Sequence, residues 1–231
     1  MDNQTDLMSG TVRAAVVSVI TRDSDENAVN ASLDELERLL ETAGGEAVIR
    51  IVQSKETPDV RTYIGSGKIK ELSEACRGND VTLVVFDAEL SPSQIKNVED
   101  DLSKDNLDIN VIDRSMLILD IFAIHATTAE GKLQVELAQL KYTAPRLVGK
   151  GTAMSRQQGG NIAMRGPGET KLETDRRHIR RRMQALEEEL RSLEEKRATQ
   201  RKQRDKSGMT KVAIVGYTNA GKSTLLNRLT D

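Results

Sequence analysis

An α/β fold is predicted for the N-terminal half, and three patterns set the whole architecture. Short valine-rich runs alternate with segments of helical period, which gives βαβ units and a small parallel sheet with flanking helices. Two longer segments carry apolar residues four and three apart on either side of a glycine-rich stretch, which predicts a long antiparallel helical hairpin. A final apolar run enters G-x-x-x-x-G-K-S and a short helical segment, the first strand and helix of a truncated P-loop domain. The divisions fall at 1–114 for the α/β subdomain, 115–206 for the hairpin with its basic tip at 148–171, 207–210 for a hinge and 211–231 for the P-loop start.

Arg13 to Thr21 (RAAVVSVIT) reads as a buried strand. In the helix that follows, Leu33, Leu36, Leu40 and Ala43 share one face, Ser32 and Glu35 have capping-box spacing, and Gly44-Gly45 ends the run. Glu46 to Val52 is a second strand. Beyond Pro58, YIGSGK (63–68) reads as a tight turn before a helix that starts near Ile69 and Leu72 and stops at Gly78. Val81 to Phe86 is almost continuously apolar, as a parallel strand covered on both faces must be. Ser91, Pro92 and Gln94 supply a cap, a proline at the first helical position and a capping-box partner for a helix reaching about Leu102. Asp108 to Ile112 is the fourth strand.

From Ser115 to about Leu147 the period is helical, with a bend expected at Gly131. Met116 to Ile124 is apolar enough to pack on the sheet, and Leu133, Leu137, Leu140, Ala144 and Leu147 form a heptad-like seam. Past the glycines, Leu172, Ile179, Met183, Leu186, Leu190 and Leu193 repeat the stepping, so the two seams should pair. Residues 194–206 lose the stripe and read as a solvated helix end, with Ser207-Gly208 as the hinge. Val212 to Val215 is the last predicted strand.

Composition narrows the function. No apolar run reaches about 18 residues, so no membrane span is expected. The polar N-terminus is not a secretory signal, and a single Cys76 forms no internal disulfide, which suits a reducing cytoplasm. His125 and His178 are too far apart for a zinc pair. The net charge of −2 conceals an asymmetry: residues 1–147 hold 15 Lys+Arg against 26 Asp+Glu, a net of −11, and residues 148–231 hold 19 against 10, a net of +9. A polyanion therefore suits the second part only.

Two stretches there carry chemistry. In the first, six glycines at 149–168 permit close backbone approach to a phosphate chain, and arginine is the preferred phosphate partner. Arg165, Lys171, Arg176, Arg177, Arg180 and Arg181 are the candidate RNA contacts; residues 148–182 hold no Trp, Phe or Tyr, so binding there rests on charge and shape. In the second, Gly216, Tyr217, Thr218, Asn219, Ala220, Gly221, Lys222, Ser223 and Thr224 form a phosphate-binding loop. Its glycines turn backbone N–H groups inward, Lys222 meets the β and γ phosphates, the Ser223 hydroxyl is a Mg²⁺ ligand, and the next helix aims its positive end at the anion.

RGPGETKLETDRR (165–177), the charged helix after it and GYTNAGKST (216–224) together resemble the HflX family of GTPases, as do YIGSGK (63–68) and GKLQVELAQLKY (131–142). Asn161, Ala163 and Met164 depart from that family's Gly, Gly and Thr. The resemblance implies an α/β part, a helical hairpin and a Ras-like G domain that binds GTP with Mg²⁺. It further implies a cytoplasmic protein, expected to be a monomer, on the large ribosomal subunit, with a role in splitting or rescuing stalled ribosomes. No DxxG motif follows the phosphate-binding loop and no NKxD motif occurs in the 231 residues, so GTP hydrolysis is expected of a longer parent and not of this chain. Two other roles fit the same residues: a non-enzymatic module that binds ribosomal RNA, and an ATP-dependent RNA remodeller working through the N-terminal half.

Overall fold

A computed structural model describes residues 11–105, 107–146, 171–206, 208, 212–217 and 220–230. The chain divides into two units, Met1–Leu190 and Arg191–Asp231. In the first, β1 (Val12–Ile20), β2 (Gly45–Ser54), β3 (Leu83–Phe86) and β4 (Asn110–Asp113) form one sheet in the order β2-β1-β3-β4, every pair parallel. The α/β expectation holds, and all four strands lie within a few residues of their predicted bounds.

The reversal of strand order at β1 sends the helices to opposite faces. On one face, α2 (Ser66–Gly78) and α3 (Pro92–Ser103) pack Leu72, Cys76, Val98 and Leu102 onto Ala15, Val17, Val84 and Phe86. On the other, α1 (Glu26–Thr42) and α4 (Arg114–His125) bring Leu33, Leu36, Leu40 and Leu117 to Ala14, Val16 and Val85. Alternate β1 residues thus serve two cores, which is why the strand is apolar without a break. Each fully buried leucine contributes about 1.5–3 kcal/mol. Burial also pushes the Cys76 thiol up to about 11, which leaves it an inert core residue.

Helix starts show where local signals held and where they were overruled. Ser91 and Gln94 form the predicted capping box of α3. The Ser32/Glu35 pair does not cap α1: the helix begins at Glu26 with Asp25 as cap, its carboxylate accepting from Asn27 N. The intervening residues are good enough helix formers to extend it upstream, and Ser32 and Glu35 bond Arg114 instead. Gly44, at φ +87°, ends α1 in the left-handed region that glycine adopts freely.

The segment predicted as one helix from 115 is two, α4 and α5 (Ala129–Thr143). The break lies at 126–128, not at Gly131: the Thr128 hydroxyl accepts from Gly131 N and caps α5. Leu117 is buried as expected, while Phe122 and Ile124 near the end of α4 are 56% exposed. The second arm, α6 (Lys171–Lys206), keeps its stripe: Leu186 is fully buried, and Ile179, Met183, Leu190 and Leu193 are half-buried. Glu136 of α5 accepts two bonds from Arg182 at 2.6 and 2.8 Å, and Lys141 pairs with Glu187 at 2.8 Å. The last turn of α5 lies beside the early turns of α6, as an antiparallel hairpin requires. Leu147 and the tip residues 148–170 lie outside the described residues.

Val212 to Val215 is not a strand, because the described residues offer it no strand to pair with; Val212 and Val215 are 86% and 90% exposed. No helix among the described residues is long and apolar enough to cross a membrane.

The YIGSGK turn is pinned from both sides. Asp59 accepts from Arg61 N and Thr62 N and exchanges two backbone bonds with Tyr63, while Gln53 accepts from Gly65 N. Arg61 then clasps Asp101 of α3 with two bonds, at 2.7 and 3.0 Å. Arg61 and Lys104 hold the Asp101 carboxyl at about 2, below the ordinary 3.8. A depressed carboxylate contributes stability above its unfolded value and loses it as pH falls toward the folded one. The stability gap between wild type and Asp101→Asn is therefore expected to shrink between pH 4 and pH 2 in thermal unfolding; a constant gap would refute the coupling.

Candidate functional site

In the second unit, the phosphate-loop pattern forms a closed turn at the start of α7 (Lys222–Thr230). Gly221 sits at φ +75°, a conformation costly for any residue with a Cβ, and its carbonyl accepts from Leu225 N at 2.9 Å to begin the helix. Ala220 N donates to Tyr217 O at 3.3 Å. The Lys222 ammonium donates to the Gly216 and Tyr217 carbonyls at 2.9 and 2.5 Å, so it already lies across the mouth of the loop. An arriving phosphate would exchange neutral carbonyl partners for a charged one, a stronger bond for the ammonium. Ser223 and Thr224 are exposed on the first turn of α7; Thr218 and Asn219 lie outside the described residues. Leu225, Leu226 and Leu229 are 51–70% exposed.

In the first unit, α6 brings four of the predicted arginines together. Arg176 and Arg180 are one turn apart, as are Arg177 and Arg181, so the four make two adjacent rows on one side of the helix. The guanidinium of the next residue, Arg182, is taken by Glu136. Beside Arg176 and Arg180 a cleft of about 220 Å³ opens, walled by Ala144, Pro145 and Ile179. Lys171 is the first residue of α6, and Arg165 lies outside the described residues.

The end of the first hairpin arm is fixed to the sheet by a junction that no sequence motif announces. Asp113, at 0% exposure, accepts from Leu90 N at 3.1 Å, Met116 N at 3.0 Å and the Arg146 guanidinium at 3.1 Å. Arg146 also donates to Leu90 O and stacks over the Tyr142 ring, 3.1 Å from its centroid. One guanidinium thereby ties the turn after α5 to the loops following β3 and β4. Burial pushes the Tyr142 hydroxyl well above the usual tyrosine range.

Open parallel sheets commonly take ligands where strand order reverses, here between the carboxyl ends of β1 and β3. Just past the end of β3, the chain sets a guanidinium of its own between Asp87 and α1. Arg114 donates to Asp87 at 2.8 Å and to Ser32 Oγ at 2.9 Å, and pairs with Glu35 at 2.6 Å.

Residues 30–123 match the family described as GTP-binding GTPase N-terminal, residues 125–204 its GTP-binding GTPase Middle Region, and residues 211–231 the family described as 50S ribosome-binding GTPase. The protein named GTPase HflX of Lacrimispora saccharolytica is 50% identical over 220 residues, 95% of this chain and 51% of the relative. That of Escherichia coli is 46% identical over 211 residues, 91% of this chain and 47% of the relative. The chain spans about half the length of the curated relatives it matches. A crystal structure of a GTP-binding protein from the archaeon Sulfolobus solfataricus, in complex with GDP, superposes with a TM-score of 0.51. That match covers 95% of this chain and 53% of the other at 24% identity, a likeness of fold.

Proposed function

The chain belongs to the HflX family of GTPases over the regions it matches, and from that membership we propose that the protein binds GTP through Gly216–Ser223 and the large ribosomal subunit through its basic hairpin. Binding there serves the splitting or rescue of stalled ribosomes in the cytoplasm. The observation that carries the reading is the pairing of two anion-seeking devices in one chain. One is a lysine held across a left-handed glycine turn at a helix start; the other is a double row of arginines on a helix.

The loop fits a nucleoside triphosphate. Lys222 exchanges carbonyls for phosphate oxygens, and the first N–H groups of α7 receive the anion. Ser223, exposed on that turn, would offer one hydroxyl oxygen to Mg²⁺, whose chemistry there would be to neutralise phosphate charge. Base selection and hydrolysis are not assigned to these 231 residues, which hold no NKxD motif and no DxxG after the loop. The proposed divisions are a sheet subdomain over 1–114, a hairpin over 115–206, a hinge over 207–210 and a G domain from 211.

Lys222→Ala tests the assignment. In a protein of the relatives' full length it should weaken GTP binding at least on the order of a hundredfold, since it removes a charge-assisted phosphate contact. In the 231-residue chain, co-sedimentation with large subunits should be unchanged by the same substitution. Loss of co-sedimentation would mean that subunit binding depends on the loop itself. A binding module without turnover is the second reading, favoured by the self-contained double core of the first unit. An ATP-driven role for the sheet is the third reading, and ATP turnover that survives deletion of residues 207–231 would support it.

A further inference from the structure

Among the clefts lined by described residues of the first unit, two differ in charge balance. The one between α2 and α3, about 470 Å³, sets Arg61, Lys70, Arg77 and Lys104 against Glu74, Asp101 and Asp105. Arg61 and Lys104 hold Asp101 at 2.7 and 2.6 Å, and Arg77 donates to the Asp105 carbonyl at 3.1 Å. That surface is self-neutralised. The cleft at the tip end of the hairpin, about 220 Å³, has Arg176 and Arg180 as its charged residues and no carboxylate among the described residues that line it. Among the described residues neither guanidinium has an ion-pair partner. Its other walls are apolar: Ile179 between the two arginines on α6, and Ala144 and Pro145 from the end of α5.

Two cations without an ion-pair partner among the described residues, around an apolar floor, ask for a ligand that is anionic at one end and flat and apolar at the other. The volume falls below the roughly 300–1,000 Å³ of a small-molecule pocket, which leaves room for one ring and not for a whole nucleoside triphosphate. We propose that this cleft is a subsite for one unstacked nucleotide of single-stranded RNA. Its base lies against Pro145 and Ile179, and its flanking phosphates meet Arg176 and Arg180. Unpaired bases are splayed onto apolar or guanidinium surfaces in this way, whereas a duplex keeps its bases stacked and offers only phosphates. The proposal rests on the reading that the hairpin faces RNA, and it replaces a contact of charge alone with one that selects single strands.

The test is fluorescence anisotropy of the full chain with octauridylate and with an eight-base-pair RNA duplex, across a salt series. The single strand should bind about tenfold tighter than the duplex, the gain of one base contact. Ile179→Ser should remove most of that preference without changing the salt slope or duplex binding, and Ile179→Met should keep it. Arg176→Gln and Arg180→Gln should each lower the single-strand slope by about 0.7. Met183→Ser, on the same half-buried stripe but outside the cleft, controls for loosening of the helix pair and should leave the preference intact. Equal affinity for strand and duplex, or equal losses on both in Ile179→Ser, would overturn the subsite while leaving the RNA-facing hairpin in place. Salt-sensitive binding to large subunits with no oligonucleotide binding would do the same. Absence of binding to subunits and oligonucleotides alike would overturn both.

Discussion

Asp113→Ala is expected to destabilise the first unit by about 3–5 kcal/mol, the cost of breaking a buried ion pair from one side. The carboxylate is wholly buried and serves three donors: two backbone N–H groups and the Arg146 guanidinium. Alanine removes all three bonds, uncaps α4 and leaves a cation whose side chain is 16% exposed without its counter-charge. Arg146→Ala should cost a similar amount for the converse reason. In urea titrations the double change Asp113→Leu, Arg146→Met should cost less than the sum of the two single alanine variants, because it removes both charges together. Additive losses would mean that the two groups act separately and that the junction does not bind the hairpin to the sheet. The loss corresponds to a fall of about 10 °C in Tm for a unit of this size.

Replacing Arg176, Arg177, Arg180 and Arg181 together with glutamine should lower affinity for large ribosomal subunits on the order of a hundredfold at physiological salt. It should also flatten the salt dependence: four phosphate contacts contribute about 3 to the slope of log K against log salt. Folding should be little affected, since three of the four side chains are exposed and the stripe of Ile179, Met183 and Leu186 is untouched. Arg182→Gln is the internal contrast. Its guanidinium is committed to Glu136, so its loss should loosen the hairpin and leave the salt slope unchanged. If the quadruple variant keeps both affinity and slope, the arginine face does not meet ribosomal RNA.

The contrast between Arg181 and Arg182 marks the limit of what the sequence carries. Adjacent in sequence and identical in chemistry, they separate only when α6 is laid beside α5 and one of them reaches Glu136. Local chemistry could be read without the fold. Alternating strands and helices, the capping box at Ser91, the stripe through Leu186 and the glycine–lysine turn before α7 each depend on residues a few positions apart. Where two local signals competed, the fold decided: Ser32 and Glu35 have capping spacing, yet Asp25 starts α1 and frees them for Arg114. The last apolar run shows the same dependence, since Val212 to Val215 have strand composition but no neighbour to complete a ladder.

By itself, then, the sequence determined the α/β class, the hairpin, the family resemblance and the loop that would hold phosphate, because periodicity and motif spacing are properties of short segments. Only the tertiary structure decided that Asp113 and Arg146 anchor the hairpin, that Arg114 pairs with Asp87 and reaches Ser32 and Glu35 of α1, and that Pro145 faces Arg176 and Arg180 across a cleft. Those pairs lie 27 to 35 residues apart, or farther in the case of Arg114 and α1, at up to 82. The physical reason is that burial and charge compensation are set by which segments pack together, and no local pattern encodes a partner that distant.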